Sequence, residues 1–225
     1  MTVHHVARQL PDIPALRDLC RAMAMVEAIL RPDSPYRRHG FDARWTATQE
    51  LAWMDNGGGD EYSVVFSSAG AYIRGFDHTS PLSPYVGDEQ PWPGIFDDVP
   101  EPFRALTRHP AFGLDDIPHV TACLWREAAD SRWLTGDVDF DTTSTVPDGA
   151  EWLFAFLTDG TPENYTNWAE GYYDIPVDQA AVRHVFALRP LTPEVVFALN
   201  SEVTLDALGD HIASIGYPQG AGRDT

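Results

Sequence analysis

The run Met54-Asp55-Asn56-Gly57-Gly58-Gly59-Asp60-Glu61-Tyr62-Ser63-Val64-Val65-Phe66 decides the fold, together with Ala71-Tyr72-Ile73-Arg74-Gly75-Phe76-Asp77-His78 downstream. Both halves are rich in β-branched and aromatic residues, which suit a pleated, half-buried surface. Between them lies Ser67-Ser68-Ala69-Gly70, whose glycine can take the positive φ of a short hairpin turn. With the turn centred near Ala69, Tyr62 faces the region of Gly75 and Phe76, and Asp60 and Glu61 face Asp77 and His78 at the same end of the ladder. Cross-strand neighbours sit roughly 5 Å apart. The hairpin end therefore gathers Asp60, Glu61, Asp77 and His78, with Asp55 and Asn56 nearby. Such a set is a candidate oxygen-rich site for a divalent cation, or a carboxylate–histidine pair for proton transfer. The same residue types are also what a solvated turn prefers for purely local reasons.

Working outward, residues 41–47 alternate with period two and residues 49–54 form a partner, so four antiparallel strands make a meander. Upstream, Leu16, Leu19, Cys20, Met23, Val26 and Leu30 recur at helical spacing over residues 14–30. Pro14 suits the first turn of this helix and Pro32 ends it. Residues 79–102 carry Pro81, Pro84, Pro91, Pro93, Pro100 and Pro102, with Trp92, Ile95 and Phe96 as anchors, and are expected to be a long ordered loop of the kind often used functionally. Residues 103–108 suit one or two helical turns, and 119–126 a strand. The apolar runs 152–157 and 182–188 read as further strands. Thr161-Pro162-Glu163 and Thr192-Pro193-Glu194 each read as a capped helix start, and residues 205–214 as a last helix between Thr204 and Gly216. The expected class is α+β: an antiparallel sheet built on the meander, packed by an N-terminal helix and C-terminal helices. Residues 1–218 are expected to form a single domain and 219–225 a mobile tail, with His4 and His5 in a mobile N-terminal segment.

The chain has 225 residues, 44% of them hydrophobic, with seven Trp, enough for a real core. Trp45, Trp53, Trp125 and Trp152 are assigned to the core. Trp92, Trp133 and Trp168 fall in loops or on a polar helix, where they can stack on sugars or partner side chains. The net charge is −19 and all fifteen basic residues are Arg. That charge argues against nucleic acid, which needs a basic face, and against anionic membranes. It permits a basic protein partner or a cation; it also keeps a protein dispersed without any partner. Cys20 and Cys123 read as small buried hydrophobes, which fits a reducing cytoplasm. No run approaches ~18 apolar residues. There is no P-loop, GxGxxG, GxSxG or HExxH motif.

Asn56-Gly57-Gly58-Gly59-Asp60-Glu61-Tyr62, Gly75-Phe76-Asp77-His78, Leu191-Thr192-Pro193-Glu194, Leu199-Asn200 and Ile215-Gly216-Tyr217-Pro218 resemble a group of uncharacterised bacterial α+β proteins over most of the chain. No activity comes with that resemblance. The Asn-Gly-Gly-Gly-Asp-Glu-Tyr segment by itself is also similar to one in the SUKH superfamily of bacterial immunity proteins, acidic α+β proteins that neutralise toxins by binding them. Of that superfamily's tryptophan-glycine signature, Trp133-Leu134-Thr135-Gly136 is the one counterpart. The leading expectation is a cytoplasmic bacterial protein that binds another protein, in an immunity-like role. One alternative is a metal-dependent hydrolase using Asp60, Glu61, Asp77 and His78. The other is a small-ligand or sugar-binding module using the loop that carries Trp92.

Overall fold

The structure is a computed structural model and describes residues 2–138 and 148–220. Along the chain run α1 (Val3–Gln9), α2 (Ile13–Leu30), β1 (His39–Asp42), β2 (Gln49–Asp55), β3 (Glu61–Ser67), β4 (Gly70–Phe76), β5 (Gly113–Leu114), β6 (Ile117–Pro118), β7 (Ala122–Glu127), β8 (Leu134–Thr135), α3 (Ala150–Leu153), α4 (Ala155–Asp159), α5 (Pro162–Tyr173), α6 (Gln179–Phe186), α7 (Pro193–Leu199) and α8 (Gly209–Ile215). Short 3-10 segments occupy Pro84–Val86, Glu101–Arg108, Pro110–Phe112 and Asp206–Leu208. The protein is α+β, with one antiparallel sheet in the order β1-β2-β3-β4-β7-β8, so the meander is present. Packing divides the chain into two compact units, Met1–Ile13 with Trp53–Thr158, and Pro14–Ala52 with Asp159–Thr225.

In the first unit, β3 and β4 pair with Tyr62 opposite Gly75 and Ser67 opposite Gly70, the expected register. Gly70 takes a φ of 136° at the turn. β7 then adds to β4, with Arg74 opposite Cys123 and Tyr72 opposite Trp125. One face of the pair packs on α3: a Cβ at Gly75 would lie 2.6 Å from the Phe154 ring, so only glycine lets the helix approach this closely. The segment between β4 and β7 is held down by buried Leu82, Ile95, Val99, Phe103, Leu106 and Phe112.

Residues 152–157 are not a strand but lie in α3 and α4. Leu153, Phe154 and Leu157 are buried while Glu151, Trp152 and Ala155 are exposed, a helical rather than an alternating pattern. Residues 182–188 belong to α6 and its end. Asp178 accepts a hydrogen bond from the Ala181 N–H (2.7 Å), a cap that starts a helix there. The strand expected over 41–47 stops at Asp42, whose carboxylate accepts from the Arg44 N–H (2.8 Å) and turns the chain. His4 and His5 lie in α1, whose Val3 and Val6 are buried and whose first N–H donates to the Asp148 carboxylate (2.6 Å). Trp53 and Trp152 are partly exposed rather than core. Residues 221–225 of the expected mobile tail lie outside the described residues.

In the second unit, α2 spans the predicted residues, and both Thr-Pro-Glu sites cap their helices, with Thr161 and Thr192 accepting from Asn164 N–H and Val195 N–H. Its core contains a buried carboxylate. Glu27, fully buried on α2, accepts from the backbone N–H and Nδ1 of His39, the N–H of Arg38, and the hydroxyls of Tyr165 and Tyr173. Burial by itself would raise the Glu27 pKa. The hydrogen bond and charge of His39, with the bonds from Tyr173 and Tyr165, outweigh it and hold the group below the usual carboxylate range.

Because the folded pKa lies below the unfolded one, the stabilisation from Glu27 is complete above about pH 5 and is lost as pH falls through the folded value. Glu27→Gln puts an NH2 among donors and should cost about 3 kcal/mol at pH 7. Urea unfolding followed at several pH values should show the wild type–variant gap closing in acid. A gap unchanged down to pH ~3 would contradict this assignment.

Candidate functional site

The glycine-rich loop between β2 and β3 is closed by its own side chains. Asp55 accepts from the Gly57 N–H (2.7 Å), and Asn56 from the N–H groups of Gly58 (2.7 Å) and Asp60 (3.2 Å). Gly57 and Gly59 take φ values of 70° and 99°, which a side chain would strain. The loop delivers Asp60 to the hairpin end. There Asp60 Oδ1 accepts from the backbone N–H (3.0 Å) and Nδ1 (2.7 Å) of His78, and Oδ2 accepts from Asn56 Nδ2 (2.6 Å). Burial would raise the Asp60 pKa, but the bonds from His78 and Asn56 prevail and lower it. An ionised carboxylate only accepts, so His78 Nδ1 carries the proton of that bond.

Asp77 lies beside this pair. Its Oδ1 accepts from the N–H (2.9 Å) and hydroxyl (2.7 Å) of Thr79, and its Oδ2 from the indole N–H of Trp152 (3.1 Å). Donor atoms of Asp60, Asp77 and His78 lie within 4.8 Å of one another, so the sequence does bring these three together. Every oxygen of the two aspartates, however, is already engaged by a protein donor.

Glu61 goes elsewhere. Successive strand residues face opposite sides, and Glu61 turns to the face that carries Arg74. Its Oε1 accepts from Arg74 Nη2 (2.7 Å) and His119 Nδ1 (3.2 Å). Arg74 is 4% exposed, donates also to the His119 carbonyl, and lies 4.7 Å from the centre of the Phe112 ring. Burial would raise the Glu61 pKa, but His119 and Arg74 together bring it down to about 2. The His119 ring stacks on Phe76 (4.6 Å). At the other side of the ring, His119 Nε2 is hydrogen-bonded to the Tyr85 hydroxyl (2.9 Å). This row of Arg74, Glu61, His119 and Tyr85 was not anticipated beyond Glu61. The available signal was an arginine in the middle of a buried strand, which requires a counter-charge.

Trp92 is 43% exposed in the segment following β4, and among the described residues its side chain makes no hydrogen bond or ring contact with the hairpin end. The same segment exposes Tyr85 (47%), Val86 (65%) and Leu114 (60%). Asp115 and Asp116 form the tip of the β5–β6 hairpin at φ 49° and 65°. Beside it is a solvent-open pocket of about 600 Å³ lined by Arg108, His109, Asp115 and Asp116. Comparison of the chain with protein-family models, curated proteins and solved structures finds no match.

Asp60 Oδ2 and Asp77 Oδ2 each accept one hydrogen bond and keep a second lone pair with which a cation could be bound. Melting in the presence of Ca²⁺, Mg²⁺, Mn²⁺ and Zn²⁺ tests this site, because an ion bound there by the folded chain should raise the melting temperature. A ligand at a hundredfold excess over its Kd adds about 2.7 kcal/mol, several degrees for a chain of this size. A rise of that order in the wild type, absent from Asp60→Asn, would establish a metal site.

Proposed function

We propose that this is a bacterial cytoplasmic protein that acts by binding a basic protein partner. The observation that carries the reading is the segment between β4 and β7. It is anchored by its own buried apolar side chains, yet turns Tyr85, Val86, Trp92 and Leu114 to solvent. A covering loop would bury such residues; exposed aromatics on an ordered support are the usual anchors of recognition surfaces. The segment also carries Asp88, Glu89, Asp97, Asp98, Glu101, Asp115 and Asp116 against Arg104 and Arg108, in a chain of net charge −19. Charge of this sign favours a basic partner and speeds its approach. No helix among the described residues is long and apolar enough to cross a membrane. Cys20 and Cys123 are free, buried thiols, which fits a reducing compartment. Toxin neutralisation, implied by the resemblance to the immunity proteins, is one form such binding takes.

The test is affinity capture of the native partner from its host extract. The wild type should retain a basic protein at low salt and associate more slowly as salt rises, since exposed charges are screened beyond about 8–10 Å near physiological ionic strength. Tyr85→Ser/Trp92→Ser/Leu114→Ser keeps the charge and should lose that protein. Equal capture by the variant, or association insensitive to salt, would overturn the reading.

A further inference from the structure

We infer that Asn56–Gly57 is a self-modification site: the Gly57 nitrogen adds to the Asn56 side-chain amide, ammonia leaves, and water opens the resulting succinimide to aspartate or isoaspartate. The sequence supplies the minimum for this reaction, an asparagine followed by a residue with no side chain to shield its nitrogen. The loop between β2 and β3 adds a partner for each reacting group.

The nucleophile is the Gly57 nitrogen. Its N–H donates to Asp55 Oδ1 (2.7 Å), so a carboxylate stands in place as the base that takes the proton. The electrophile is Asn56 Cγ. Its oxygen, Oδ1, accepts from the N–H groups of Gly58 (2.7 Å) and Asp60 (3.2 Å), two backbone donors that polarise the carbonyl and can hold the negative oxygen of a tetrahedral intermediate. The departing nitrogen, Nδ2, donates to Asp60 Oδ2 (2.6 Å). Two donors on one atom and a carboxylate on the other fix which end of the amide is oxygen. The Asn56 N–H donates to the Asp60 carbonyl (3.1 Å) and closes the loop around the amide. Gly57 lies at a φ of 70°, and among the described residues a Cβ there would meet nothing within 4 Å, so no neighbour packs over the nucleophile. Asp55 and the three glycines are exposed, which admits water.

In the first step the bond from the Gly57 nitrogen to Cγ forms and the Cγ–Nδ2 bond breaks. The Gly57 proton passes through Asp55 and solvent to Nδ2, which leaves as ammonia; nothing is oxidised or reduced. In the second step water adds to one of the two imide carbonyls. Breaking the Cγ–N bond restores the ordinary chain with an aspartate, whereas breaking the backbone C–N bond routes the chain through Cγ as isoaspartate. Either product removes the Nδ2 donor from Asp60, the acceptor for His78 Nδ1 (2.7 Å), and adds a negative charge to a loop that already carries Asp55 and Asp60. The reaction is a one-way timer that loosens the hairpin end as the chain ages.

The test incubates the full chain near neutral pH beside the same chain unfolded in guanidinium and a blocked peptide of residues 53–62. Peptide-mapping mass spectrometry follows loss of ammonia and then gain of water at Asn56, and hydroxylamine, which cleaves succinimides, traps the intermediate. The folded chain should react about tenfold faster than the unfolded chain and the peptide, because its base and donors are already in place. Asp55→Ser, whose hydroxyl can still accept from the Gly57 N–H but is a far weaker base, should fall to the peptide's rate, with amide chemical shifts showing that the loop is kept. The aged chain, separated by its added charge, should melt at a lower temperature than the fresh one. A folded wild type that reacts no faster than the peptide overturns the inference without recourse to any variant. Reaction of a folded Asp55→Ser at the wild-type rate overturns the assignment of the base, and an aged chain that melts with the fresh one overturns the timer.

Discussion

Arg74 is a permanent charge in the middle strand of a buried pairing, and much of the first unit follows from the need to neutralise it. An isolated charge taken out of water costs far more than a domain can spare, so it must be paired and hydrogen-bonded. Glu61 supplies the carboxylate, and the alternation of β3 and the β3–β4 register bring it to the Arg74 face. The His119 carbonyl and the Phe112 ring add to the shell, which pins both ends of the β5–β6 hairpin, although Arg74 Nε is buried with no hydrogen-bond partner among the described residues. His119, once oriented by Glu61, fixes Tyr85. Tyr85, one residue of the exposed surface, is thus linked to the buried guanidinium through Glu61 and His119.

The second unit solves the inverse problem. Glu27 is a buried carboxylate on α2, met by His39, two tyrosine hydroxyls and two backbone N–H groups. It ties the start of β1 to α2 and α5. Arg38 continues the arrangement outward, its guanidinium over the stacked pair Trp168 and Tyr172. Each unit therefore has a polar centre whose partners are far apart in sequence, and such centres specify a unique packing more than they add stability.

That separation explains which features could be read from the chain and which could not. The hairpin was legible because Gly70 and the flanking strands lie within a few residues of one another, and the same holds for the Thr161 and Thr192 caps. Asp60 and His78 could be placed together because a hairpin register is fixed by its turn. Glu61 could not be separated from them without asking which face Arg74 occupied. The runs 152–157 and 182–188 were misassigned because short apolar runs have no decisive period, and valines and aromatics weigh towards strand. At Ala150 the left-handed Gly149 starts a helix, and a Cβ there would come 2.5 Å from the Asp77 side chain, a tertiary restraint with no local signature. Tyr85 and Glu61 are joined through His119, which no sequence spacing reveals.

The charge balance around Arg74 can be measured directly. If Glu61 is the counter-ion that organises the unit, its side-chain carboxyl should titrate at about 2 when followed by carbon NMR. Selective labelling of glutamate, with Glu61→Gln used to assign the resonance, gives the midpoint in the intact protein. A value close to 4.3, that of an unperturbed glutamate, would mean that Arg74 is neutralised otherwise and would contradict the account.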